Sequence, residues 1–253
     1  MSIVYKIMHY KNVLPCKKTQ SPPSVFDIPP VLCVLCLRKS KPYGNKNMIK
    51  NIVFDIGMVL ADFRWEAYMR DDLHFNEEVI KTIGEKVVLT NLWDELDLGV
   101  RETEDVINEM KAQVPEYQKE INIFFDGIVD IIASYPYSRQ WILDLKAARY
   151  KVYLLSNYPR DVFSLHARTR FTFVDVVDGM VVSGFEKVSK PDPAIYKLLF
   201  DRYDLRPEEC LFTDDRPVNI EAARKLGMTA VLFTGYDTVR PQIDKILADV
   251  AKA

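Results

Sequence analysis

The sequence has few cysteines, no long apolar run and little net charge, and each of these excludes a class of protein. Cysteine occurs only four times in 253 residues, which excludes a disulfide-rich secreted scaffold. No apolar run approaches the roughly 20 residues that a membrane-spanning helix needs. The formal net charge is only −2, so no excess of basic residues points to nucleic acid. We therefore expect a cytoplasmic globular protein that binds neither nucleic acid nor a membrane.

The first 47 residues differ in composition from the rest of the chain. They carry eight basic side chains against one acidic side chain, together with six of the 14 prolines. Their apolar run, at 31–37, lies too far from the start for a secretory signal, and a transit peptide would be rich in Arg and Ser. We expect residues 1–47 to be a disordered or mis-assigned tail, with translation beginning at Met48.

Short apolar runs alternate with helical patterns from Met48 onward. Four runs have the length and unbroken apolar character of strands that are buried on both faces: 52–54, 152–155, 211–213 and 229–233. Apolar residues at helical spacing lie over about 137–149, 192–203 and 220–226. This alternation predicts an α/β fold with a Rossmann-like parallel sheet.

The first two predicted strands lie nearly a hundred residues apart, which is too far for one crossover helix. The intervening segment, 64–135, is mostly of helical character, with predicted helices at 77–89, 102–114 and 117–134. We predict a helical cap domain at 64–135, inserted after the first strand into a core formed by 48–63 and 136–253. A cap in this position is expected to act as a lid or to select the substrate.

Three of the four predicted strands end in side chains that carry oxygen. Asp55 follows the first strand, Ser156 and Asn157 follow the second, and Asp214 and Asp215 follow the third. Each alone could be a helix N-cap or a turn residue, but the carboxyl ends of parallel strands form the ligand-binding edge of such sheets. Carboxylates that converge there repel one another unless a cation lies among them, and Mg²⁺ favours such ligands together with phosphate oxygens.

The order of these residues resembles that of the haloacid dehalogenase superfamily, most of whose members are Mg²⁺-dependent phosphatases. The resemblance covers about residues 49–235 and rests on four motifs: Asp55-Ile56-Gly57-Met58-Val59, Leu154-Leu155-Ser156-Asn157, Ser189-Lys190-Pro191, and Asp214-Asp215 with Asn219. Within the superfamily the chain is similar to the subfamily IA group of α-D-glucose-1-phosphate phosphatases, whose first motif is Asp-x-Gly-x-Val.

The resemblance implies a role for each motif residue. Asp55 becomes the nucleophile and forms an aspartyl-phosphate, while Ser156 and Asn157 bind the transferring phosphoryl oxygens. Lys190, which could otherwise be a solvated loop lysine, neutralises the charge of these groups. The implied Mg²⁺ ligands are Asp55, the backbone carbonyl of Gly57, Asp215 and Asp214, the last as a ligand or as a support for the ligands.

The first motif departs from the usual family pattern at Gly57. Most family phosphatases carry there a second Asp that protonates the leaving group, and general acid–base catalysis is worth about 10²–10⁴-fold. Three outcomes are open: activity on esters with good leaving groups, replacement by Asp62 or a cap residue, or binding of phosphate ligands without turnover. We expect the acidic cap residues Asp94, Glu95 and Asp97 to form a polar helical face and not a second metal site.

The function expected from these features is Mg²⁺-dependent hydrolysis of a small phosphomonoester, such as a sugar phosphate, through an aspartyl-phosphate. The expected partner is a small phosphorylated metabolite, and the expected assembly is a monomer or a weak homodimer. Two alternatives remain. A metal-independent 2-haloacid dehalogenase would have fewer carboxylates in the last motif and an aromatic residue in place of Gly57. A catalytically weak protein that binds phosphate ligands would be consistent with Gly57.

Overall fold

A five-stranded sheet forms the centre of the computed structural model, which describes residues 48–252; the expected tail at 1–47 lies outside them. The strands of the chain are β1 (Asn51–Phe54), β2 (Ala61–Phe63), β3 (Ile132–Ser134), β4 (Lys151–Ser156), β5 (Gly179–Val182), β6 (Cys210–Asp214) and β7 (Thr229–Leu232). The sheet has the order β5-β4-β1-β6-β7, and every neighbouring pair is parallel. The predicted α/β class with a parallel sheet is confirmed.

Helices cover the sheet and fill the segment between β2 and β3. They are α1 (Trp65–Ala67), α2 (Glu77–Ile83), α3 (Asn91–Leu98), α4 (Thr103–Gln113), α5 (Gln118–Asp126), α6 (Ser138–Ala147), α7 (Arg160–Thr169), α8 (Ser183–Glu186), α9 (Pro193–Tyr203), α10 (Pro217–Lys225) and α11 (Tyr236–Lys252). Two wide helical turns, Tyr68–Asp72 and Gly84–Val88, extend α1 and α2. No helix in the described part of the chain is both long and apolar enough to cross a bilayer.

The central strand β1 packs against a separate hydrophobic cluster on each face of the sheet. Successive side chains of a strand point to opposite faces. Phe54 therefore contacts Trp141 of α6 on one face, with 4.6 Å between ring centroids. Val53 belongs to the other cluster, with Phe212 and Tyr196 of α9. This burial on both faces explains why β1 is apolar at every position but its first.

The segment between β2 and β3 departs from the sequence prediction at its end. The predicted helix over 117–134 is wrong beyond α5, because Ile132–Ser134 forms β3 and pairs antiparallel with β2. Gly127 follows α5 and lies so close to Tyr68 that an added Cβ would be 1.8 Å from its hydroxyl oxygen. A 3₁₀ turn at Ile128–Asp130 follows, and the β-branched Ile131 and Ile132 after it favour an extended backbone. Helices α1 and α3 were not predicted, and the proposed cap boundaries remain a prediction.

A buried histidine joins this helical segment to the core. His166 of α7 is fully buried, with Nε2 at 2.9 Å from the carbonyl oxygen of Ile128 and Nδ1 at 2.7 Å from the hydroxyl of Tyr158. A carbonyl oxygen can only accept, so Nε2 carries the proton and Nδ1 accepts from Tyr158. Burial lowers the pKa of His166 to about 4, although the Ile128 carbonyl opposes the shift.

The stability of the fold should therefore depend on pH through His166. Between pH 6.5 and 4 the unfolded chain binds a proton at this residue that the folded chain does not, so stability falls with pH in this window. We expect His166 to lower the free energy of unfolding by about 2 kcal/mol from pH 7 to pH 5. Urea unfolding of the wild type and of His166→Gln, which keeps an N–H donor but cannot become charged, measures this contribution. Equal pH dependence in the two proteins would contradict it.

Candidate active site

The polar residues at the strand ends meet in one region of the structure. Asp55 and Asp215 follow the carboxyl ends of β1 and β6, and Ser156 is the last residue of β4. All three line a cavity of about 730 Å³ between the sheet edge and the helical segment. Gly57, Asn157 and Lys190 line the same cavity. Asp214 lies beneath it and is fully buried.

Lys190 lies at the centre of the buried charges. Its Nζ is 2.8 Å from Oδ1 of Asp55 and 2.6 Å from Oδ2 of Asp214, and its side chain is 1% exposed. It is therefore not a solvated loop lysine. Burial alone would lower the pKa of Lys190, but Asp55 and Asp214 outweigh burial and raise it. The side chain is an ammonium held against both carboxylates.

Asn157 holds the loop that carries this lysine. Its side-chain Nδ2 donates to the backbone carbonyl of Lys190 at 2.9 Å, and its Oδ1 accepts from the backbone N–H of Lys190 at 2.8 Å. These bonds use one of the two hydrogens on Nδ2 and leave the other available to a phosphoryl oxygen. The structure therefore gives Asn157 a positioning role, and the phosphoryl contact that the sequence predicted remains a prediction. Ser156 has only a 3.5 Å contact with the carbonyl of Asn157, which leaves its hydroxyl available.

Asp214 is held on both of its oxygens. Oδ2 accepts from Lys190, Oδ1 accepts from the backbone N–H of Arg216 at 2.8 Å, and Nδ2 of Asn219 reaches both oxygens at 2.9 and 3.0 Å. This bonding favours the supporting role among the two expected for Asp214. Oδ1 of Asn219 is buried without a partner among the described residues, which is uncommon in proteins unless a ligand or water completes the site.

The carboxylates of the site fit a divalent cation. Asp55, Asp214 and Asp215 each offer an oxygen, and these oxygens all lie within 4.8 Å of one another. One lysine does not balance three carboxylates, so the cluster retains negative charge. Mg²⁺ takes oxygen ligands and is usually held by one or two carboxylates. Asn219 also lines the cavity, and its amide oxygen is buried without a partner among the described residues, so the residues present fit the expected metal.

Burial and the neighbouring charges shift the pKa of Asp55, the proposed nucleophile. Burial raises the pKa of Asp55 to about 6; Lys190 lowers it, while the charges of Asp214 and Asp215 raise it further. The pKa of Asp215 is likewise raised, by burial and then by Asp214. Any added positive charge stabilises the ionised form of a carboxylate in such surroundings, and a metal ion supplies that charge.

Asp97 of α3 is a candidate site residue that the sequence reasoning missed. Its half-buried side chain lines the cavity, and burial followed by the charges of Asp94 and Asp55 raises its pKa to about 8. Asp94 lines the same cavity, and neither residue belongs to the group of described carboxylates that could hold a metal. The prediction of a polar helical face instead of a second metal site is not contradicted, but it did not include a place for Asp97 in the cavity. Asp62 was the other proton source considered. It lies in β2, opposite Ala133 of β3, and is not among the residues that line the cavity.

Contacts at the end of α3 fix the position of Asp97. The hydroxyl of Ser183 donates to the carbonyl of Asp97 at 2.5 Å and accepts from the backbone N–H of Tyr158 at 2.9 Å. Gly99 then ends the helix with a φ of 68°, and an added Cβ would lie 2.6 Å from the carbonyl of Gly184. These contacts join residues that are distant in sequence, so no local pattern could have predicted where Asp97 faces.

Comparison with known proteins gives a family match and several relatives. The sequence profile of the haloacid dehalogenase-like hydrolases matches residues 49–227. The sesquiterpene phosphatase astK of Aspergillus oryzae is 24% identical over 185 residues, which are 73% of this chain and 90% of the relative. D-ribitol-5-phosphate phosphatase of Bacteroides thetaiotaomicron is 27% identical over 205 residues, which are 77% of this chain and 93% of the relative.

The solved structures that match show the same fold. A HAD family enzyme from Bacteroides thetaiotaomicron, in complex with magnesium and inorganic phosphate, superposes with a TM-score of 0.58 at 22% identity, covering 73% of this chain and 93% of that one. Haloacid dehalogenases also occur among the matches. Some matched relatives are longer proteins, and the match covers 38% of one of them.

Proposed function

Because this chain belongs to the haloacid dehalogenase-like hydrolase family, we propose that it is a Mg²⁺-dependent phosphatase that hydrolyses a phosphomonoester through an aspartyl-phosphate on Asp55. The observation that carries the proposal is the cluster of Asp55, Asp214 and Asp215 around the buried Lys190. Such a cluster suits an anionic substrate only when further positive charge is bound. Relatives named for a sesquiterpene and for ribitol 5-phosphate span apolar and polar substrates, so the family leaves the alcohol open.

The proposed reaction has two displacements at phosphorus. In the first, an oxygen of Asp55 bonds to phosphorus, the ester P–O bond breaks, and the alcohol leaves with a proton. In the second, water attacks the aspartyl-phosphate, which releases phosphate and regenerates Asp55. Phosphoryl transfer depends mainly on positioning and charge stabilisation. Lys190 lies 2.8 Å from Asp55 and keeps its carboxylate in place, and the hydroxyl of Ser156 is available to a phosphoryl oxygen.

The metal would be held by Asp55, Asp215 and the backbone carbonyl of Gly57, with Asp214 and Asn219 behind them. Its chemistry would be to neutralise the charge that the phosphoryl group carries. Asn157 contributes indirectly, because it holds the backbone from which Lys190 extends.

We also propose that Asp97 supplies the proton that Gly57 cannot. It lines the cavity from α3, whereas the carboxylate cluster follows the strands of the sheet. With a pKa near 8 it is protonated at neutral pH and can donate. An acid provided by a neighbouring element was one of the outcomes left open by the sequence.

The dehalogenase alternative is disfavoured by the same carboxylate cluster. A haloacid dehalogenase needs a carboxylate nucleophile but no metal, whereas Asp55, Asp214 and Asp215 together exceed the positive charge of Lys190 and of Arg216, which acts on Asp215. A protein that only binds phosphate ligands would not need Asp97 in the cavity. Metal dependence and the identity of the released ion separate all three functions.

Removing divalent metal should abolish activity. We expect the purified full-length protein to release phosphate from a panel of esters, including sugar phosphates and p-nitrophenyl phosphate, at least about 10²-fold faster with Mg²⁺ than with excess chelator. This corresponds to the several kcal/mol of charge stabilisation that a catalytic metal provides. Chloride release from 2-chloropropionate in the presence of chelator would show a dehalogenase instead. No release from any compound, by a folded protein that binds phosphate, would favour a binding protein.

A further inference from the structure

The cavity is much larger than a phosphate group and is mostly apolar beyond the catalytic end. If an atom occupies about 30 Å³, the share of a water molecule in the liquid, a volume of 730 Å³ holds about two dozen non-hydrogen atoms. Polar side chains such as Asp126 and Thr169 also line the walls away from the carboxylates, but most of the lining there is aromatic or branched aliphatic, including Phe63, Trp93, Leu96, Phe125, Val129 and Leu165.

Several of these side chains pack against the core and also line the cavity. Phe63, Trp93, Val129 and Leu165 are only half-buried although they lie between the core and the helical segment. Apolar surface left open in this way marks a binding region. This apolar surface is contributed by β2, α3, the turn after α5 and α7, so it surrounds the cavity on several sides.

Helix α7 contributes both apolar and polar side chains to the wall of the cavity. Val162 and Leu165 are its apolar lining residues, and they lie at helical spacing between Asp161 and Arg168 on the same face. At 1.5 Å per residue this face is about 10 Å long. The helix begins three residues after Asn157, so the lining continues outward from the phosphate end of the site.

A polar alcohol would be poorly matched to these walls. Each sugar hydroxyl that loses water without gaining a hydrogen-bond partner weakens binding, whereas each additional buried methylene strengthens it about fourfold. We propose that the substrate is the phosphate ester of a long apolar alcohol, with an alkyl or isoprenoid chain lying in this cavity. This inference rests on the proposed phosphatase function and specifies its substrate class.

A chain-length series tests the inference directly. Ethyl, hexyl and decyl phosphate share one leaving-group chemistry, so differences in kcat/KM report the chain alone. We expect kcat/KM to rise at least about 100-fold from ethyl to decyl phosphate, and farnesyl phosphate to be hydrolysed at least about tenfold more efficiently than ribitol 5-phosphate.

Two matched variants locate the effect. Leu165→Gln should lower kcat/KM for decyl phosphate at least about tenfold more than kcat/KM for ethyl phosphate, and retained hydrolysis of ethyl phosphate shows that the variant is folded. Leu143→Gln, on an exposed face of α6 away from the cavity, should change neither. Hydrolysis of all esters without dependence on chain length, or a preference for ribitol 5-phosphate, would overturn this inference alone. Absence of hydrolysis of every ester would overturn the phosphatase proposal and this inference with it.

Discussion

Replacing Asp55 with asparagine should abolish phosphate release and at the same time stabilise the metal-free protein. The amide has the shape of the carboxylate but cannot form the aspartyl-phosphate, so kcat should fall at least about 10⁴-fold, as for other nucleophile deletions. Phosphate release with saturating Mg²⁺ measures this loss. Asp201→Asn, at an exposed position of α9, serves as a control that should leave both activity and stability unchanged.

The gain in stability follows from the raised pKa of Asp55. A carboxyl group whose pKa moves from 3.8 to about 6 on folding, mainly through burial, is costly to keep ionised in the folded state. At pH 7 this cost is about 3 kcal/mol, and it falls below about 1 kcal/mol by pH 4, where the folded protein holds the proton. Because a neutral amide in place of the carboxylate would bind Lys190 less strongly, we expect a net gain of about 1–3 kcal/mol in urea unfolding at pH 7. A variant less stable than the wild type would contradict this account.

The parts of the fold that could be predicted are those fixed by local pattern. Strands β1, β4 and β6 are buried along nearly their whole length, so their apolar runs were visible. Strand β5 was missed because it is short and its first two residues, Gly179 and Met180, are only half-buried at the sheet edge. Strands β2 and β3 have three residues each and exist only because they pair with each other.

The candidate site, like the fold, could be predicted only where a local pattern determines the structure. The residues that follow strand ends were predicted because parallel strands bring their carboxyl ends together, and the structure places them around one cavity. The roles assigned to them remain predictions. The positioning bonds of Asn157 and the orientation of Asp97 depend on packing between distant segments, which the sequence alone does not specify.

Replacing Asp97 with asparagine should slow the hydrolysis of esters according to their leaving group. An alkoxide needs a proton as it leaves, so kcat/KM for decyl phosphate should fall about 10²–10³-fold. p-Nitrophenolate leaves without a proton, so the rate with p-nitrophenyl phosphate should change less than about threefold. Asp94→Asn is the matched control, since Asp94 lies on the same helix and lines the same cavity but is exposed; it should affect neither ester strongly.

The pH profile gives an independent measure of the same proton. Asp97 must be protonated to donate, and its pKa is raised to about 8, chiefly by burial. The rate with decyl phosphate should therefore decline as the pH rises through about 8, and this limb should be absent from the residual activity of Asp97→Asn. Equal slowing of both esters by Asp97→Asn, with the alkaline limb retained, would show that Asp97 only positions other groups.

Restoring an acid at residue 57 should compensate for the loss of Asp97. A Cβ added to Gly57 meets no atom within 4 Å, and Gly57 is not among the residues with a positive φ, so an aspartate fits there without strain. We expect Gly57→Asp in the Asp97→Asn background to recover at least about tenfold of the lost kcat/KM for decyl phosphate. The two changes should therefore be strongly non-additive, because both residues serve one proton-transfer step and either is sufficient. Additive effects would mean that the two positions act on different steps, and Asp97 would then not be the acid that replaces the missing aspartate.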